Sequence, residues 1–257
     1  MPTREGKHNG NPSGWRRLLP QQLCRHCYSR NPQGSLCSAC RRDLNDPLPR
    51  CPRCAHPLPC ATPTGVDCGE CLANPPPFQR VITAYPYQPP ISDWINRFKH
   101  QRDLRDGHLL SRLLIDRIEL AYCQQPLPEL LVPVPLHWTR QLSRGFNQAG
   151  WISRCLQQHF AISACPALRR HRTSHSQQGL DRKQRQNNLH GAYQLAPRFA
   201  ARLHNRHIAL VDDVVTTSAT ARTLSALLLA AGARRVDVWC LARTARAHPS
   251  PPRTPLT

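Results

Sequence analysis

The stretch Ile208-Ala-Leu-Val-Asp-Asp-Val-Val-Thr-Thr-Ser-Ala-Thr220 limits what this chain can fold into more than any other. Ile208 to Val211 is a short apolar run after Arg206-His207, the pattern of a strand buried in a parallel sheet. Two carboxylates, Asp212 and Asp213, close it. Thr216, Thr217, Ser218 and Thr220 then supply hydroxyls and backbone N–H groups just before Ala221–Ala231, whose Leu224, Leu227 and Leu228 make a helical apolar face. A helix N-terminus leaves donors unpaired and carries positive partial charge, so a phosphate suits this turn. The two carboxylates would repel a bare phosphate, so the ligand must also offer hydroxyls or a metal ion. A sugar phosphate fits. The alternative is an ordinary strand-to-helix turn with a capping Asp, but an acidic pair followed by a hydroxyl cluster at a strand end argues against it.

The run from Val211 to Thr220 resembles the binding motif for phosphoribosyl pyrophosphate (PRPP) in type I phosphoribosyltransferases. There the acidic pair holds ribose hydroxyls and the Thr-rich loop holds the 5′-phosphate. Ser218 departs from the motif, because that family usually has Gly at this place, where close backbone approach or unusual dihedrals are needed.

A second strong signal lies upstream. Cys24-x-x-Cys27, Cys37-x-x-Cys40, Cys51-x-x-Cys54 and Cys68-x-x-Cys71 are four knuckles within about fifty residues. A two-residue gap lets both thiolates of a knuckle face one ion, and two knuckles complete a tetrahedral zinc site. Eight cysteines therefore make two structural zinc sites. Three pairings are open, the sequential one being simplest. Cys60 is spare, and His26 and His56 are not needed as ligands. Disulfides would require secretion, and a thioredoxin-like motif would occur once rather than four times. Zinc stabilises a segment too small to build a core.

At 257 residues the chain can bury one sizeable core and a small second domain. No apolar run approaches the roughly 20 residues that a bilayer requires, and residues 1–20 have no secretory h-region. A cytoplasmic location is expected. Basic residues number 35 against 15 acidic, and only Lys7, Lys99 and Lys183 are lysine. Two tetrathiolate zinc sites would each contribute about −2, reducing the formal +20 to roughly +16. So basic and arginine-rich a chain points to nucleic acid or polyphosphate ligands.

The hydrophobic pattern predicts strands over Val81–Tyr85, Leu130–Val134 and Val236–Leu241, and helices over Ile91–His100, Leu109–Tyr122 and Asn147–Phe160. Asn74-Pro-Pro-Pro77 reads as a stiff boundary. Arg140 and Arg144 stand four apart, on one face if helical, where they can converge on an anion. Residues 166–191 read as a mobile basic loop. From His137 to Arg185 there are nine basic residues against one acid, Asp181. Arg172, Arg182, Lys183 and Arg185 are the candidate nucleic-acid contacts, with a solvated loop as the alternative. Trp138, Phe146 and Trp151 among these arginines can stack bases or fill the core.

The four knuckles, Arg144-Gly-Phe-Asn-Gln148, Ser176-Gln-Gln-Gly-Leu180, Asn187-Asn-Leu-His-Gly191 and the acidic motif together resemble the ComF/GntX family over residues 22–244. The resemblance implies an α/β, type I phosphoribosyltransferase-like domain with a mainly parallel sheet at 78–244, after a double zinc ribbon at 21–77. Residues 1–20 would be a disordered tail and 245–257 a Pro-rich tail. It also implies a competence or DNA utilization role, with single-stranded DNA or its nucleotide products as partners. By motif, Asp212 and Asp213 would be the catalytic pair at the ribose. Thr216, Thr217, Ser218, Ala219 and Thr220 would hold the 5′-phosphate, with Arg140 and Arg144 at the pyrophosphate and Mg²⁺ accompanying PRPP. Two other readings stand beside this one. They are a phosphoribosyltransferase for an unidentified base or nucleotide, and a zinc-stabilised interaction module for uptake or recombination proteins.

Overall fold

The computed structural model describes residues 23–31, 34–44, 48–136, 145–170 and 192–245. Both expected tails lie outside these residues, apart from Ala245. The chain forms two compact units, Met1–Asn45 and Asp46–Thr257.

In the first unit the segment carrying Cys24 and Cys27 turns back on itself through a bridge between Leu23 and Arg30. Helix α1 (Ser38–Asp43) follows, and the Cys37 sulfur accepts from the Cys40 amide at its N-terminus.

The second unit opens with the same device, an Arg50–Pro57 bridge around Cys51 and Cys54, then helix α2 (Gly69–Ala73) carrying Cys71. Strand β1 (Val81–Pro86) is buried along its whole length. Helices α3 (Ile91–His100) and α4 (Leu104–Ala121) follow, then β2 (Leu130–Pro133) and α5 (Gln148–Phe160). Next come β3 (Leu168–Arg170), β4 (Tyr193–Leu195) and a short turn of helix, α6 (Ala200–Leu203). Strand β5 (His207–Val215), helix α7 (Ala219–Ala230) and strand β6 (Arg235–Arg243) complete the unit.

The four long strands form one parallel sheet in the order β1-β6-β5-β2. Parallel strands are covered on both faces and therefore read as near-continuous apolar runs; β1 and β6 have that pattern. The expected α/β class with a mainly parallel sheet is the one observed. Trp94, Phe98, Leu110, Leu114 and Trp239 are almost fully buried in its core; truncating such an aromatic to Ala costs about 3–5 kcal/mol. Arg97 Nε donates to Asp106 Oδ2 at 2.6 Å and ties α3 to α4. Gly107 lets α4 approach that contact, because a Cβ there would lie 2.6 Å from the Phe98 ring.

Three boundaries differ from the sequence reading by more than two residues. Helix α4 begins at Leu104 rather than Leu109, because Asp103 caps it by accepting from the Arg105 amide at 3.0 Å. Strand β5 runs on through both aspartates to Val215, since its ladder continues with Asp212 opposite Cys240 and Val214 opposite Ala242. The expected basic loop at 166–191 begins instead with β3, antiparallel to β4, with Leu168 opposite Leu195 and Tyr193 buried. Residues 171–191 lie outside the described residues.

Candidate functional site

The end of β5, the turn after it and the start of α7 form one wall of a cavity of about 360 Å³. Asp212, Asp213, Thr216 and Thr220 line it. The carboxylates are fixed by their own backbone, since the Asp213 amide donates to Asp212 Oδ1 at 2.8 Å and the Val214 amide to Asp213 Oδ1 at 2.6 Å. Burial, with the like charge of Asp213 next, pushes the Asp212 carboxyl up to about 8, although Lys99 and the Asp213 amide act the other way. Lys99 Nζ stands 3.0 Å from Asp213 Oδ2.

Thr216 and Thr217 are exposed, whereas Ser218 is buried and has φ of 64°, a left-handed conformation. Ser218 thus adopts the backbone that glycine would take with least strain. Helix α7 starts here, with the Arg222 amide donating to the Ser218 carbonyl at 2.8 Å. The Thr217 hydroxyl accepts from the Ala219 amide at 3.4 Å. First-turn amides of a helix have no intrahelical acceptor, so this turn can receive an anion while the acidic pair accepts from hydroxyls beside it.

The sequence reading missed several neighbours. Lys99, Tyr87, Gln148, Arg170 and Tyr193 line the same cavity, and the Arg170 guanidinium lies over the Tyr193 ring, 5.2 Å from its centre. Lys99 carried one usable signal, being one of three lysines in an arginine-dominated chain. Beneath the turn, Arg243 is fully buried and donates from Nη2 to Ser218 Oγ at 3.3 Å. Phe146 and Trp151 both pack on Phe98, with ring centres 5.3 and 5.2 Å from it. Arg140, Arg144, Arg172, Arg182, Lys183, Arg185 and Trp138 lie outside the described residues.

The cysteines gather into two groups, Cys24, Cys27, Cys37 and Cys40, and Cys51, Cys54, Cys68 and Cys71, each with all sulfurs within 4.8 Å of one another. Pairing is sequential. Thiolates at the corners of a tetrahedron about 2.3 Å from a zinc ion stand about 3.8 Å apart. The Cys27–Cys37 and Cys54–Cys68 sulfurs are separated by 3.8 and 3.6 Å. Amides of Cys37 and Cys68 point at the sulfurs of Cys24 and Cys51, at 3.4 and 3.3 Å. Both groups fit a tetrathiolate metal site.

Fold and site therefore define an α/β protein with a hydroxyl-bearing, helix-opening turn beside an acidic pair, and with two four-cysteine clusters able to hold metal ions. The chain is 36% identical to DNA utilization protein YhgH of Escherichia coli (strain K12) over 214 residues, covering 81% of this chain and 90% of that protein. It is 35% identical to the protein of that name from Salmonella typhi, over 86% of this chain and 96% of that one. It is 34% identical to competence protein F of Haemophilus influenzae, again over 86% and 96%. The chain belongs to the ComF family. No family model matches it. Among solved structures, glutamine PRPP amidotransferase from B. subtilis, complexed with ADP and GMP, aligns at 14% identity and a TM-score of 0.35. That alignment covers 52% of this chain, which spans about a quarter, 26%, of that structure. No helix among the described residues is long and apolar enough to cross a membrane.

Proposed function

We propose that this is a cytoplasmic DNA utilization or competence protein that handles incoming single-stranded DNA or its nucleotide products and retains a ribose-phosphate site of the PRPP type. The observation that carries this reading is the meeting of Asp212 and Asp213 with Thr216 and Thr220 in one cavity that also holds Lys99 and Arg170. The acidic pair accepts from ribose hydroxyls, and residues 216–220 take the 5′-phosphate. Lys99 and Arg170, with Arg140 and Arg144, supply positive charge for the pyrophosphate, whose Mg²⁺ accompanies PRPP. Zinc fills the two cysteine clusters. Single strands are held by Arg172, Arg182, Lys183 and Arg185, through phosphate contacts that depend steeply on salt.

Titration of the zinc-loaded protein with a labelled single-stranded oligonucleotide, across a salt series and with or without PRPP and Mg²⁺, tests this. Binding with a steep salt slope that PRPP modulates is expected. Absence of DNA binding at modest salt would overturn the DNA half of the reading.

A second reading, transfer of the phosphoribosyl group to a base or nucleotide, is favoured by Tyr87 and Tyr193, which give the cavity aromatic side chains. Release of pyrophosphate from PRPP, abolished by Asp213→Ala, would establish it.

A further inference from the structure

Arg243 ends β6 with no solvent exposure. A guanidinium in that position is tolerated only when its donors are satisfied. Its acceptors are four backbone carbonyls and a hydroxyl. Nε donates to the Cys54 carbonyl at 3.0 Å. The two Nη1 hydrogens are shared among the carbonyls of Val215 at 3.1 Å, Thr244 at 3.1 Å, and Thr216. Nη2 reaches Ser218 Oγ. One side chain thus joins the second cysteine cluster to the turn at the end of β5.

The bonds have a direct consequence for that turn. A trans peptide is planar with its C=O and N–H on opposite sides. Drawing the carbonyls of Val215 and Thr216 inward to Arg243 aims the amides of Thr216 and Thr217 away from it. The bond to Ser218 Oγ supports a residue in the left-handed region, where a non-glycine residue is strained and needs its surroundings to hold it. The buried positive charge behind the turn also favours an anion in front of it.

A separate contact joins the same two regions. Arg222 of α7 donates from Nη2 to the Asn74 carbonyl at 2.6 Å and from Nη1 to the Pro75 carbonyl at 3.3 Å, on the segment that leaves α2 and Cys71.

We infer that Arg243 is a positioning residue for the phosphate turn, and that through it occupancy of the turn and integrity of the Cys51, Cys54, Cys68 and Cys71 cluster stabilise one another. This rests on the ribose-phosphate reading above. It gives the second cluster a role in ligand binding besides folding.

Coupling between sites is reciprocal, so it can be read at the cysteines. The full-length zinc-loaded protein is pulsed with N-ethylmaleimide with and without PRPP and Mg²⁺, and each cysteine is followed by mass spectrometry; calorimetry reports PRPP binding separately. PRPP should slow alkylation of the second cluster by roughly tenfold. Cys165, buried in the same unit, and the first cluster should be unaffected. Arg243→Lys keeps a positive charge but cannot span all five acceptors. It should weaken PRPP binding and abolish the protection; if it does not fold, the wild-type comparison still decides. PRPP binding without protection, or with equal protection of Cys165, would overturn the coupling and leave the ribose-phosphate reading standing. Failure of PRPP to bind at all would overturn both.

Discussion

Lys99 Nζ lies 3.0 Å from Asp213 Oδ2, so the last turn of α3 places a cation against the acidic pair at the end of β5. Two adjacent carboxylates repel, and this contact offsets part of that repulsion. Lys99→Met should therefore move the Asp212 carboxyl further above about 8, as carboxyl-carbon NMR titration would show. An unchanged Asp212 titration would mean that Lys99 does not act on the pair.

The raised Asp212 carboxyl also sets a pH dependence. Its folded value, about 8, is above the unfolded value of roughly 3.9. Its contribution to stability is then fully present below the unfolded value and lost as pH rises through the folded one. Asp212→Asn should gain melting temperature relative to wild type between pH 5 and pH 8.5. A constant difference across that range would contradict the assignment.

Asp237 has the opposite sign. Burial would raise its carboxyl, but His207, whose Nε2 lies 3.2 Å away, the donating Tyr122 hydroxyl and the charge of Arg235 more than offset this and hold it at about 2. The stabilisation is present above the unfolded value and lost as pH falls through about 2. Asp237→Asn would leave Arg80 and Arg235 without their buried carboxylate. It should cost about 2 kcal/mol in urea unfolding at pH 7, because the arginines left behind reach solvent. A loss under 1 kcal/mol would contradict that reading of the network.

Ser218 allows two small effects to be separated. Ser218→Gly relieves the left-handed backbone and loses only the hydroxyl bonded to Arg243; Ser218→Ala loses that hydroxyl and keeps the strain. The glycine variant should be the more stable by about 1 kcal/mol in denaturant unfolding. Equal stabilities would show that the turn relaxes.

Each cysteine cluster should hold one zinc ion. Metal analysis of the purified protein should find about two equivalents per chain, and Cys71→Ser should remove one. Retention of both by the variant would rule out the sequential grouping as the metal sites.

Most of the sheet was legible because parallel strands announce themselves as apolar runs, as Val81–Tyr85 and Val236–Leu241 do. The apolar signal for β5 stopped at Val211 because carboxylates interrupt it, yet the ladder to β6 depends on backbone groups and carries on beneath them. The knuckles paired in sequence order, which spacing alone did not decide, because the step from Cys40 to Cys51 (eleven residues) is as short as those from Cys27 to Cys37 (ten) and Cys54 to Cys68 (fourteen). What stayed hidden was long-range. Lys99 meets Asp213 across more than a hundred residues, and Arg243 reads as the polar end of a strand until its acceptors on Cys54 and Val215 are seen. Spacing rules report on neighbours along one element, whereas these contacts are set by how elements pack.

On the proposed reading, the turn after β5 and the acidic pair form a working ribose-phosphate site. Calorimetric titration of the zinc-loaded protein with PRPP and Mg²⁺, alongside Asp213→Ala, tests it most directly. Saturable one-to-one binding by the wild type, weakened by about tenfold or more in the variant, is the predicted result. No binding by a folded, fully metallated wild type, or equal binding by the variant, would contradict it.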